Sequence, residues 1–110
     1  MAKAVISGLA RADMREIVDY ISREKQNPGA AERLLRRFRE AINGLCCFPE
    51  SGARLFPPGK GRSPYRYIVC GSYLIFYHTD GETVMIDRVL YGRRDYPALL
   101  FGDKLTDDDE

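Results

Sequence analysis

Arginine is the chain's main chemical resource, supplying 13 of the 17 basic side chains in 110 residues. A guanidinium grips a carboxylate or a phosphate with two parallel hydrogen bonds, which an ammonium cannot do. Arg54, Lys60, Arg62, Arg66, Arg88, Arg93 and Arg94 fall between residues 54 and 94. They could hold an acidic protein surface or a phosphodiester. Cutting RNA without a metal also needs one group to take the 2′-hydroxyl proton and another to protonate the leaving oxygen. His78 is the sole histidine and the one side chain that titrates near neutrality when unperturbed. In phase with Leu74 and Phe76 and just before a turn, it reads as a polar strand end, with a general base as the sharper alternative. Arg88 falls in phase with Ile86 and Leu90 on an otherwise apolar face. There it needs a partner, because an unpaired buried charge is costly. Asp87 points to the opposite face and is not that partner, so internal pairing and target recognition both stay open.

The elements that must position these groups follow from periodicity and punctuation. Lys3–Ile6 is a short strand. Ser7 can cap a helix in which Met14, Ile17, Val18 and Ile21 form one apolar stripe. Asn27-Pro28 closes this helix and caps a second. Ala31, Leu34, Leu35, Phe38, Ile42 and Leu45 face inward on the second helix, while Arg33, Arg36, Arg37 and Arg39 spread over the rest. The short connection predicts an antiparallel helical hairpin. Glu50–Pro64, with six Gly and Pro, is a loop partly ordered by Leu55 and Phe56, and loops this long in small domains are usually functional.

The last third predicts a three-stranded meander. Tyr65–Cys70 and Tyr73–His78 are joined by Gly71-Ser72, and Asp80-Gly81 turns the chain into Thr83–Tyr91. On that final strand Val84, Ile86 and Leu90 point one way, and Met85, Val89 and Tyr91 the other. Apolar residues on both faces suggest a covered strand. Tyr65, Tyr67, Tyr73, Tyr77 and Tyr91 could stack on bases, but aromatics on paired strands usually pack a core. The fold class is α+β, ordered β-α-α-β-β-β, with the helical hairpin on one face of a mainly antiparallel sheet.

Bulk properties fit one domain over residues 1–102, with 45% hydrophobic and 30% charged residues. The last eight residues carry five acids against Lys104 and read as a solvated, disordered tail. The body keeps 16 Lys and Arg against 11 Asp and Glu, a net charge of +5. No run of about 18 apolar residues offers a membrane span, and the first ten residues make no signal peptide. Three cysteines without CxxC spacing form neither a disulfide framework nor a metal site. A cytoplasmic protein without metal or cofactor is the expectation.

Four segments then carry a resemblance: ADMREIVDY at Ala12–Tyr20, AAERLL at Ala30–Leu35, YLIFY at Tyr73–Tyr77 and IDRVLYGRRD at Ile86–Asp95. Together, in order from the first strand to about Phe101, they resemble the ParE branch of the ParE/RelE toxins of type II toxin–antitoxin systems. The resemblance implies a toxin neutralised by a cognate antitoxin, ParD-like or of another class. ParE-like members poison DNA gyrase and RelE-like members cut mRNA on the ribosome, and the shared fold cannot choose between them. For gyrase inhibition, Arg88, Arg93, Arg94 and Tyr96 would meet the target. The ribonuclease reading would use Arg62, Arg88 and Arg94 with Tyr96, which sits where such enzymes carry a C-terminal tyrosine. The sheet lacks the lysine of those enzymes, so that set is incomplete. A toxin that binds its antitoxin and has lost its activity is a third reading. Tyr20 and Leu35 on the hairpin's outer surface, with Arg66 and Tyr91, are the expected antitoxin contacts.

Overall fold

The computed structural model describes residues 2–55 and 64–92. In chain order the elements are β1 (Lys3–Ile6), α1 (Gly8–Arg23), α2 (Pro28–Cys47), β2 (Ala53–Arg54), β3 (Arg66–Cys70), β4 (Tyr73–Asp80) and β5 (Thr83–Tyr91). The strands form one sheet in the order β1-β5-β4-β3-β2, antiparallel except for the β1–β5 pair. The expected α+β arrangement is thus present.

Both helix starts are fixed by side-chain caps. Ser7 Oγ accepts from the Ala10 amide at 3.0 Å and donates to the Asp87 carbonyl at 3.0 Å, so the start of α1 is tied to β5. Asn27 Oδ1 accepts from the Ala30 amide at 3.1 Å, with Pro28 opening α2. Such caps satisfy amides that have no partner in the first turn. Between the helices Gln26 takes a left-handed conformation with φ 50°. Gly71 begins the β3–β4 turn with φ 62°, a value only glycine adopts without strain. The next turn is Gly81-Glu82, with Asp80 still on the strand opposite Thr83.

The core lies between the hairpin and the sheet. Met14 of α1 and Phe38, Ile42 and Leu45 of α2 pack on Ile75, Tyr77, Val84, Ile86 and Val89. Phe38 meets the Tyr73 ring edge-on at 5.6 Å. A smaller cluster of Leu55, Phe76 and Leu90, flanked by Tyr65, Tyr67 and Leu74, lies on the opposite face. Both faces of β4 and β5 are therefore buried, as the two-sided apolar pattern suggests.

Three expectations need correcting. The 50–64 loop contains β2, whose Ala53 and Arg54 pair with Tyr67 and Arg66. Leu35 is not on an outer surface; it is half-buried against the main core. On β5 a bulge skips Asp87, because Phe76 pairs with Arg88 and Tyr77 with Ile86. One extra residue reverses the alternation beyond it. Val89 thus joins Val84 and Ile86 on the helix-facing side, and Leu90 belongs to the other cluster.

Candidate functional site

β1 ends at Ile6 opposite Ile86, while β5 runs on to Tyr91. From Asp87 onward the edge of β5 has no strand beside it among the described residues, and α1 passes there instead. Asp13 of α1 occupies this edge. Its carboxylate binds the Arg88 guanidinium at 2.8 and 2.9 Å and accepts the Val89 backbone amide at 3.0 Å. A two-pronged bond of this kind fixes both side chains. The bond to Asp13 is the main cause holding Arg88 above its ordinary range, against the opposing effect of burial. Arg88 thus has the partner its position demanded.

Beyond Asp13 the same gap widens into a groove of about 600 Å³. Glu16, Ile17, Tyr20 and Ile21 of α1 form one wall, and Lys25 stands past the helix end. Ser72 and Tyr73 at the start of β4, with Val89, Leu90 and Tyr91 at the end of β5, form the other. Tyr20 is 53% exposed and Tyr91 41%, so both rings face the opening. Tyr73 stands between them, edge-on to Tyr91 at 5.8 Å. Burial raises the Tyr73 phenol above its ordinary value, and the Tyr91 and Tyr20 phenols raise it further. An apolar floor with amphipathic rings at its lip suits a peptide segment better than a small polar metabolite.

A second constellation sits at the bulge. His78 Nδ1 lies 2.7 Å from Asp87 Oδ2, and the Tyr65 ring meets the imidazole edge-on at 5.7 Å. An ionised carboxylate only accepts, so Nδ1 is the donor in this bond. Burial raises the Asp87 carboxyl above its ordinary value, and the bond to His78 pulls it partly back. His78 is therefore a held imidazole, not a loose strand-end residue.

The sequence-based sites are distributed unevenly over this geometry. Tyr20 and Tyr91 come together across the groove. Arg66 does not join them; its guanidinium donates to the Gly52 carbonyl at 2.9 Å and the Glu50 carbonyl at 3.2 Å, pinning the segment before β2. Leu35 serves the core. Arg62, Arg93, Arg94 and Tyr96, like Lys60 and the acidic tail, lie outside the described residues. Asp13, Glu16, Lys25 and Tyr73 were missed as site residues. The one available signal for Asp13 was its place beside Met14, at the border of the apolar stripe, where an acid can reach a buried arginine. Among the described residues no group of three His, Cys, Asp or Glu could hold a metal. None of the described helices is long and apolar enough to cross a membrane.

The family model described as the ParE toxin of the type II toxin–antitoxin system parDE matches residues 4–96. The chain is also similar to Toxin ParE1 of Mycobacterium tuberculosis, in strains CDC 1551 / Oshkosh and ATCC 25618 / H37Rv. Each is 30% identical over 95 residues, covering 86% of this chain and 93% of the relative. Among solved structures, a chain of the chromosomal ParDE toxin–antitoxin system from P. aeruginosa has the same fold, with a TM-score of 0.65. It is 19% identical, and the match covers 83% of this chain and 96% of that one.

Proposed function

Because the chain belongs to the ParE toxin family of type II toxin–antitoxin systems, we propose that it inhibits DNA gyrase when free and is silenced by an antitoxin segment laid in the α1–β5 groove. The family carries an antitoxin partner with it. A ParD-like antitoxin whose segment folds on binding would cover the exposed rings of Tyr20 and Tyr91 and bury the apolar floor between them. On this reading Arg93, Arg94 and Tyr96, which follow β5 in sequence, meet gyrase, and the protein works in the cytoplasm beside it.

The observation that favours gyrase over RNA is the commitment of Arg88, the cation that the ribonuclease reading would draw from β5. Arg88 is clamped by Asp13, so it does not stand loose for a scissile phosphate. The ribonuclease reading keeps one observation in its favour: a histidine oriented by a carboxylate is how many general bases are held. Two parallel assays separate the readings. Purified toxin is incubated with gyrase and plasmid, and with translating ribosomes. Lost supercoiling or trapped double-strand breaks, with mRNA intact, are expected. Messages cut at ribosome-bound codons, with gyrase unaffected, would overturn the proposal.

A further inference from the structure

The two ends of the α1–β5 groove carry opposite charge. At one end stand Asp13 and Glu16; Asp13 is matched by Arg88, so Glu16 leaves that end negative. At the other end stands Lys25. Neither Glu16 nor Lys25 has a partner within ion-pair distance among the described residues, and both are exposed. Seven helical steps of α1 from Glu16 to Arg23, about 10 Å, and the turn beyond them separate the two. Apolar surface from Ile17 and Ile21 and the Tyr20 and Tyr91 rings fills the interval.

We propose that this polarity selects and orients the antitoxin segment. The segment brings a Lys or Arg to the Glu16 end, apolar side chains to the middle and an Asp or Glu to the Lys25 end. A segment of the opposite polarity would set like charges against each other at both ends. The proposal rests on the reading that the antitoxin occupies this groove. At Glu16 the incoming cation also reaches the face of Tyr20, four residues further along the same side of α1. Charges at a rim of this kind govern encounter and register more than total affinity. The family's antitoxin partner is the occupant to which the groove is assigned.

The test is the affinity of the full toxin for its cognate antitoxin, measured at low and high salt. The variants are Glu16→Lys, Lys25→Glu and the double variant Tyr20→Ala/Tyr91→Ala. All four positions are exposed or half-exposed, and matching thermal unfolding curves verify folding. Each charge reversal is expected to weaken binding about fivefold or more at low salt, with the loss shrinking as salt rises. Reversing the facing antitoxin charge should restore it. The tyrosine double variant should lose at least about tenfold at either salt. If the double variant binds normally, the groove is not the antitoxin's seat, and the inference falls with the reading beneath it. If it binds poorly while both reversals stay within about twofold at low salt, the polarity inference alone fails. Altered self-association of the antitoxin-free toxin in either reversal would assign the groove to a second copy and overturn the proposal.

Discussion

Asp13 and Arg88, 75 residues apart, close a two-pronged ion pair at the place where β1 stops and β5 continues. The same carboxylate takes the Val89 amide that a longer β1 would have used. The pair therefore joins the first helix to the last strand and finishes an edge that would invite unwanted strand pairing.

Removing one side of the pair should cost more than removing its charge alone. With both side chains largely buried, Asp13→Ala leaves Arg88 uncompensated and the Val89 amide unpaired. A loss of about 2–4 kcal/mol in urea unfolding is expected. Asp13→Asn keeps one acceptor oxygen, which can still take the Arg88 Nε and Val89 amide hydrogens that Oδ2 takes, and should lose less than Asp13→Ala. Equal losses in the two variants would show that the hydrogen-bond geometry contributes nothing.

Tyr77 anchors the segment before β2 in a similar way. Its buried hydroxyl donates to the Pro49 carbonyl at 2.8 Å and accepts from the Gly52 amide at 2.9 Å. Tyr77→Phe should lower stability by about 1–3 kcal/mol, since it strands both backbone groups. Gly52→Ala should be at least as damaging. Its Cβ would sit 2.6 Å from the Tyr77 hydroxyl oxygen and 2.8 Å from the Tyr67 carbonyl oxygen, and the backbone cannot yield cheaply. A thermal melt of Gly52→Ala matching the parent would refute this packing.

Asp87 gives the protein a signature in the acid range. Its carboxyl is raised, chiefly by burial, so the folded chain holds this proton more tightly than the unfolded chain does. Between the ordinary and the raised value the folded state carries the extra proton, and stability falls as pH rises across that interval. Wild type should therefore lose ground to Asp87→Asn as pH climbs from about 4. Denaturant midpoints of both proteins along a pH series check it. A constant difference, or one of opposite slope, would contradict the assignment.

Toxicity should follow the arginine pair beyond β5. Arg93→Glu with Arg94→Glu is expected to relieve growth inhibition while leaving the unfolding midpoint and antitoxin binding unchanged. Full toxicity of that variant at equal expression would remove both residues from the gyrase-facing surface.

Local chemistry carried most of the fold in legible form. Ser7 and Asn27-Pro28 marked both helix starts, Gly71 and Gly81 the hairpin turns, and the β5 limits Thr83 and Tyr91 were readable from the pattern. Membership of the ParE branch was legible too, because its motifs span nearly every element. What stayed hidden was non-local. A two-residue β2 has no periodicity to detect. The parallel seat of β1 depends on how α1 and α2 carry the chain back across the sheet. The bulge at Asp87 has no local mark such as glycine, yet it decides which of Val89 and Leu90 faces the helices. The groove shared this difficulty. Tyr20 and Tyr91 could be named singly, but only the short β1 and the passage of α1 reveal that they face one cleft, with Asp13 and Tyr73 between them.

The account is tested most directly by DNA supercoiling in the presence of purified gyrase, with the toxin titrated alone and after mixing with equimolar antitoxin. Supercoiling should fail with free toxin and return when the antitoxin is added first, but not when the toxin carries Tyr20→Ala/Tyr91→Ala. Undiminished supercoiling at saturating free toxin would contradict it.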